Sequence, residues 1–238
     1  MKKNFLITGA SSGLGKEFAL SIADIAAGIV IISFDNKKLS QIQKKIKQIN
    51  PDIKILKVVS DLSSENGVDR LINIFKKQQK IKYIDVVINS AANFLIKKIE
   101  DVNKKDLKKD FQLNVISPFL ISQYFGSIMK KRKKGFIFNI GSSSSYDCSK
   151  DTSVYCATKH ALLGMSKSFE VEWKPHGVKS ILVAPGSMKT PMGRKVKNQD
   201  FETFIEPKEV VKLMKNLIEN SNLSMSIDEI KLKRILYK

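Results

Sequence analysis

Two tyrosines in the stretch SSSSYDCSKDTSVYCATKHALLG are each followed four residues later by a lysine, as Tyr146 and Lys150 and as Tyr155 and Lys159. On a helix such a pair lies on one face, with Cβ atoms roughly 5–6 Å apart. Opposite charges ~4 Å apart at an effective dielectric of about 20 attract by ~4 kcal/mol. That corresponds to roughly three pKa units, so the ammonium is expected to bring a phenol from about 10 toward neutrality. A phenol titrating there exchanges protons with a carbonyl or an alcohol, work typically worth ~10²–10⁴ in rate. The pair must be helical and must lie beside a redox cofactor.

Tyr146 and Lys150 fail the helical requirement, because SSSSYDCSKD is a Ser/Asp-rich loop without apolar periodicity. Tyr155 and Lys159 meet it. They head a segment with Leu162, Met165, Phe169 and Trp173 at helical spacing, after a cap at Thr152 or Ser153. Ser142 ends the apolar run GFIFNI and offers a hydroxyl at the carboxyl end of a strand, where ligands bind in open α/β sheets. The cofactor loop is Thr8-Gly9-Ala10-Ser11-Ser12-Gly13-Leu14-Gly15, between a strand and a helix expected over Lys16–Ala27. Gly9 allows a tight turn, Gly13 a close backbone approach and Gly15 close helix packing. The helix start then presents N–H groups to a pyrophosphate, which makes Gly9, Ser11, Ser12, Gly13, Leu14 and Gly15 the candidates for holding it.

The TGxxxGxG spacing resembles that of the short-chain dehydrogenase/reductase family, and the resemblance runs over nearly the whole chain. The family places a catalytic serine after N-[IV]-[SG], thirteen residues before the tyrosine. Ser142 in Asn139-Ile140-Gly141-Ser142 has that separation from Tyr155. The same count back from Tyr146 reaches Lys133. The resemblance implies Ser142, Tyr155, Lys159 and Asn114 as catalytic residues, Asn114 holding a water between the lysine and bulk solvent. It further implies adenine contacts from Asp61 and Leu62 and a bracing role for Asn89 in Asn89-Ser90-Ala91-Ala92, with Ala91 beside the cofactor. Ala92 stands where the family has glycine, so crowding on the ribose side is expected. Pro185-Gly186-Ser187-Met188-Lys189-Thr190 matches PGxxxT, implying nicotinamide contacts from Pro185, Gly186, Met188 and Thr190.

Asp35 lies twenty residues past Gly15, suited to a ribose 2′-hydroxyl but two positions late for the family's acid. Ser33 with Lys37 or Lys38 suits a 2′-phosphate instead, so the cofactor stays open between NAD and NADP. A short segment over Pro191–Glu206 with Arg194, Lys195 and Lys197 corresponds to the substrate-covering loop. Its charge fits either an anionic substrate or ordinary surface. The closing DGG motif of many relatives is absent, which weakens the case for a fatty-acid-type ketoreductase.

Short runs rich in Ile and Val, apolar on both faces, predict strands over Phe5–Thr8, Ile29–Ser33, Ile53–Val59, Asp85–Asn89, Phe136–Ile140 and Lys179–Ala184, with a last one within Ser226–Ile235. Helices are expected between them, including one continuous helix over Lys104–Lys131, one over Thr152–Trp173 and one from Pro207 to Ile218. Repeated βα units without a composition break predict a single-domain α/β fold over residues 1–238. It is a Rossmann-type, doubly wound parallel sheet of about seven strands with helices on both faces.

The 238 residues carry a formal net charge of +19. Of the 42 basic residues only Arg70, Arg132, Arg194 and Arg234 are arginine, the residue whose planar fork reads phosphate and bases. Dispersed lysine therefore reads as solvated surface, and a nucleic-acid partner is not expected. Cys148 and Cys156, with His160 and His176, have no zinc spacing, and neither a metal nor a disulfide is expected. No apolar run reaches the ~18–20 residues of a membrane span, and the N-terminal run is too short for a signal peptide. The expectation is a cytoplasmic oxidoreductase acting on a small carbonyl or alcohol as a homodimer or homotetramer. The rival is a catalytically silent relative that binds nucleotide as a sensor or partner.

Overall fold

The computed structural model describes residues 2–220 and 226–235. Seven parallel strands form one sheet in the order β3-β2-β1-β4-β5-β6-β7. They are β1 Asn4–Thr8, β2 Gly28–Ser33, β3 Lys54–Val59, β4 Val86–Asn89, β5 Gly135–Ile140, β6 Val178–Pro185 and β7 Glu229–Leu232. The helices are α1 Gly13–Ser21, α2 Asn36–Ile49, α3 Gly67–Lys77, α4 Lys104–Phe111, α5 Ser117–Lys131, α6 Ser153–Trp173 and α7 Pro207–Glu219. The first six strands begin and end within one residue of expectation. The last is confined to Glu229–Leu232, paired with β6 from Leu182 to Pro185.

Both faces of the sheet are buried, which is why its strands read as unbroken apolar runs. Phe5, Ile7, Ile29, Ile31, Val86, Ile88, Phe136 and Phe138 pack on one side with α1, α2 and α7 residues such as Phe18, Ile46 and Met214. The intervening Leu6, Val30, Ile32, Val87 and Ile137 pack on the other with Leu71, Phe125 and Phe169. Strand order reverses between β1 and β4, and a crevice opens at the carboxyl ends there.

Two helices depart from expectation. The first begins at Gly13 and ends at Ser21 instead of running over Lys16–Ala27. The chain then turns through buried Ile22, Ala23 and Ala26. The Ala27 N–H bonds the Lys3 carbonyl, setting Gly28 beside Asn4 at the start of the sheet. The long helix over Lys104–Lys131 is divided by a π-helical turn, Gln112–Ile116, where the Ser117 N–H reaches back to Gln112. Pro118 supplies the cause: without an N–H it cannot bond the residue-114 carbonyl, so the ladder slips before it. Such turns gather at functional sites, and Asn114 lies within this one.

Candidate active site

Gly9 takes φ +67° and Gly13 φ +53°, a backbone region that side chains resist. A Cβ on Gly15 would stand 2.6 Å from the Gly9 carbonyl oxygen, so the turn closes only without one. Ser12 precedes α1 with its side chain making no cap bond, which leaves the first N–H groups of the helix to a ligand. Behind the loop the Thr8 hydroxyl accepts from the Ser90 and Ala91 N–H groups at 3.0 Å each, tying the ends of β1 and β4 together. Gly9, Ser11, Ser12, Gly13 and Leu14 line one lobe of the crevice with Asp61, Leu62, Ala91, Ala92, Met188 and Thr190. The volume of this lobe, ≈ 380 Å³, and its open helix start suit a dinucleotide.

Tyr155 and Lys159 project from the first turns of α6 and are both buried. Lys159 Nζ donates to the Ile140 carbonyl at 2.7 Å and lies 5.5 Å from the centre of the Tyr155 ring. Burial pulls the ammonium down to about 8. Burial also pushes the phenol up to about 12, against the opposing pull of the Ser142 hydroxyl. This corrects the expectation of a phenol brought toward neutrality by its lysine. Attraction between two charges presumes that both stay hydrated, whereas burial is the largest influence on this phenol. Ser142 follows β5, its Oγ accepting from the Ser144 N–H at 3.1 Å.

Asn114 is 1% exposed and fully engaged. Its Oδ1 accepts from the Asn93 N–H at 2.9 Å, and its Nδ2 donates to the Asn93 carbonyl and to Thr158 Oγ1. Asn89 stays beneath the crevice, where its Nδ2 donates to Asn139 Oδ1 at 2.8 Å and Ser122 Oγ at 2.9 Å, bracing β4 against β5. A phenol, a buried ammonium and a hydroxyl thus meet beside a phosphate-type loop, an arrangement able to trade a proton with an oxygen at the floor of the crevice.

Residues 3–200 match the family model described as short chain dehydrogenase. The chain belongs to this family. Among curated proteins, an uncharacterized oxidoreductase of Staphylococcus epidermidis is 30% identical over 191 residues, 80% of each chain. An NAD-dependent glycerol dehydrogenase of Listeria innocua is 28% identical over 80% of this chain and 72% of its own. Among solved structures, the alcohol dehydrogenase of the archaeon Thermococcus sibiricus, complexed with 5-hydroxy-NADP, superposes with a TM-score of 0.86 at 19% identity. The match covers 100% of this chain and 99% of that one. A short-chain dehydrogenase from Sphingobium yanoikuyae in complex with NADPH gives 0.81 at 21% identity, covering 97% and 87%. This dehydrogenase is therefore an oxidoreductase with the family's parallel-sheet fold.

The remaining expected positions divide. Asp35 caps α2: its carboxylate accepts from the Lys38 N–H at 2.9 Å, and that bond holds its pKa below the usual carboxylate range. It is outside the crevice lining, whereas Ser33 lines it and hydrogen-bonds Ser11 Oγ at 2.8 Å. Asp61 lies at the exposed rim, its Oδ1 taken by the Ser63 N–H and hydroxyl. Pro185 and Gly186 face a second lobe of ≈ 420 Å³ that adjoins the first at Gly141, Tyr155 and Thr190. Lys195 and Lys197 line this lobe, while the Arg194 guanidinium stacks 4.4 Å from the Phe201 ring. The discarded Tyr146 sits under Lys231 Nζ, 3.6 Å from its ring centre, and exposed Lys150 lies on the second lobe.

Sequence reading missed Phe94 and Asn93. Phe94 packs edge-on to Tyr155 with ring centres 4.7 Å apart and lines the second lobe beside Ile96. An aromatic four residues past Ser90 was the available signal, but nothing local ties it to a helix more than fifty residues on. Among the described residues no group of three or more His, Cys, Asp or Glu is placed to hold a metal, and no helix is long and apolar enough to cross a membrane.

Proposed function

We propose that this dehydrogenase interconverts a carbonyl and an alcohol, with Tyr155 as the general acid/base. The observation that supports this best is the position of Tyr155, at the seam where the glycine-loop lobe meets the second lobe. The cofactor is NAD or NADP, and when bound it supplies or takes up the hydride. Gly9, Ser11, Ser12, Gly13, Leu14 and Gly15 would hold its pyrophosphate, Asp61, Leu62 and Ala91 its adenosine side, and Met188 and Thr190 its nicotinamide side.

In the reducing direction the Tyr155 phenol gives its proton to the substrate oxygen, and in the oxidising direction it takes one. Ser142 donates a hydrogen bond to that oxygen. Lys159 steadies the phenolate as the proton leaves, and it does so only while charged. Asn114 sustains proton return from the lysine toward solvent. Phe94 walls off one side of the phenol and keeps the reacting oxygen out of water.

The exposed apolar residues Ile116, Phe119 and Val171 support assembly as a homodimer or homotetramer through the π turn, α5 and α6. Light scattering on the pure protein tests that assembly. The deciding experiment for the activity is separate titration with NADH and NADPH, followed by turnover on a panel of carbonyls and alcohols. Tight nicotinamide binding without hydride transfer to any of them would leave the silent relative.

A further inference from the structure

The side chain with the least explained environment near the site is Asp110. It stands in the last turn of α4, 1% exposed, one turn before Asn114. Its Oδ1 accepts from Asn93 Nδ2 at 2.7 Å, while its Oδ2 is buried without a hydrogen-bond partner. Asn93 in turn exchanges two hydrogen bonds with Asn114, from its N–H to Oδ1 and from Nδ2 to its carbonyl. Asn114 continues to Thr158 Oγ1 at 3.1 Å, and Thr158 Oγ1 donates to the Tyr155 carbonyl at 2.8 Å. Hydrogen bonds on the side chain and on the backbone of Asn93 therefore link a buried carboxyl, through the body of that residue, to Asn114, Thr158 and the backbone of Tyr155.

We propose that Asp110 is a positioning residue for the reaction: acting through Asn93, it fixes the Asn114 amide and with it the first turn of α6 that aims Tyr155. The inference rests on the carbonyl–alcohol reading above. Without an anchor, the Asn93 side chain would swing freely at the crevice rim, where it lines the cofactor lobe. The Asn93 backbone, which orients the Asn114 amide, would then be held less firmly.

A buried carboxylate with one bare oxygen is strongly disfavoured. Burial holds Asp110 above the usual carboxylate range, with Asp106 adding to the effect while the Asn93 bond, Lys109 and Lys195 oppose it. What Asn93 needs is an acceptor oxygen, not a charge. That separates the two substitutions that test the idea.

Asp110→Asn in the full chain keeps an acceptor oxygen, whereas Asp110→Leu keeps the volume and loses it. Asp110→Asn should retain kcat within about threefold. Asp110→Leu should lose roughly ten- to a hundredfold in kcat, with cofactor Kd and substrate KM nearly unchanged. An amide NMR spectrum supplies a readout that does not depend on turnover. The Asn114 side-chain NH₂ signals should shift or broaden in Asp110→Leu and stay in place in Asp110→Asn. Three results would overturn the proposal: Asp110→Leu turning over like the parent, both variants equally impaired, or Asn114 signals indifferent to Asp110→Leu. If the parent protein turns over no substrate with either cofactor, the activity reading fails, and the NMR comparison still decides whether Asp110 fixes Asn114.

Discussion

Lys159 Nζ donates to the Ile140 carbonyl at 2.7 Å while lying 5.5 Å from the centre of the Tyr155 ring. The ammonium is thus anchored to the end of β5, one turn of α6 past the phenol, and both groups are out of water.

The pH dependence follows from that burial. With Lys159 drawn down to about 8 and Tyr155 raised to about 12, the group losing its proton first on alkalinisation is the lysine. The proposed carbonyl reduction requires a protonated phenol and a charged lysine, so kcat/KM in that direction should fall above about pH 8. The limb should approach tenfold per pH unit, and a profile of the free enzyme measures it. In Lys159→Arg the limb should disappear below pH 10, because a guanidinium keeps its charge there.

The same lysine sets a stability signature. Its folded-state value is depressed, so between about pH 8 and 10.5 the unfolded chain binds more protons and stability rises with pH. Relative to Lys159→Met, the parent should gain on the order of 3 kcal/mol across that window, from about 1.4 kcal/mol per pKa unit. Tyr155 acts in the opposite sense: it is raised in the fold, so stability falls from about pH 10 to 12. Urea unfolding of both proteins at stepped pH reads the difference, and parallel curves would contradict it.

Tyr155→Phe should lower turnover at least a hundredfold with cofactor affinity within about twofold, since the hydroxyl is removed and the ring kept against Phe94. Tyr146→Phe should leave turnover unchanged. Its hydroxyl is buried without a good hydrogen-bond partner, and burial beside Glu229 raises its pKa. Steady-state kinetics of both variants, with fluorescence titration of NADH and NADPH, compares them.

Two glycines should respond oppositely to alanine. A methyl at Gly15 meets the Gly9 backbone at 2.6 Å, so Gly15→Ala should cost about 1–3 kcal/mol and weaken cofactor binding. Gly164 lies inside α6 with nothing within 4 Å of its added Cβ, so Gly164→Ala should stabilise by about 0.5–1 kcal/mol. Thermal melts give both signs.

Asp35→Ala should lower the melting temperature by removing the cap on α2 and leave the ratio of NADH to NADPH affinity within about twofold. A large swing in that ratio would show that its carboxylate reaches the ribose despite the cap.

What the linear chain by itself determined is everything local or periodic. The apolar runs declared six strands to within a residue, because strands buried on both faces tolerate nothing else. TGxxxGxG announced its loop because each glycine meets a constraint within a few residues. The helical periodicity after Tyr155, with the Ser142 separation that the family resemblance implies, favoured the second Tyr–Lys pair. What only tertiary structure decided depends on partners far off in sequence. The π turn before Pro118 follows from a local proline, yet its value lies in presenting Asn114 to Asn93 and Thr158. Phe94 against Tyr155, Asp110 behind Asn93, and Asp35 spent on its own helix cap are likewise outcomes of packing. The acidity of Tyr155 moved furthest from expectation, since i and i+4 spacing sets the distance between two charges but not how much water surrounds them.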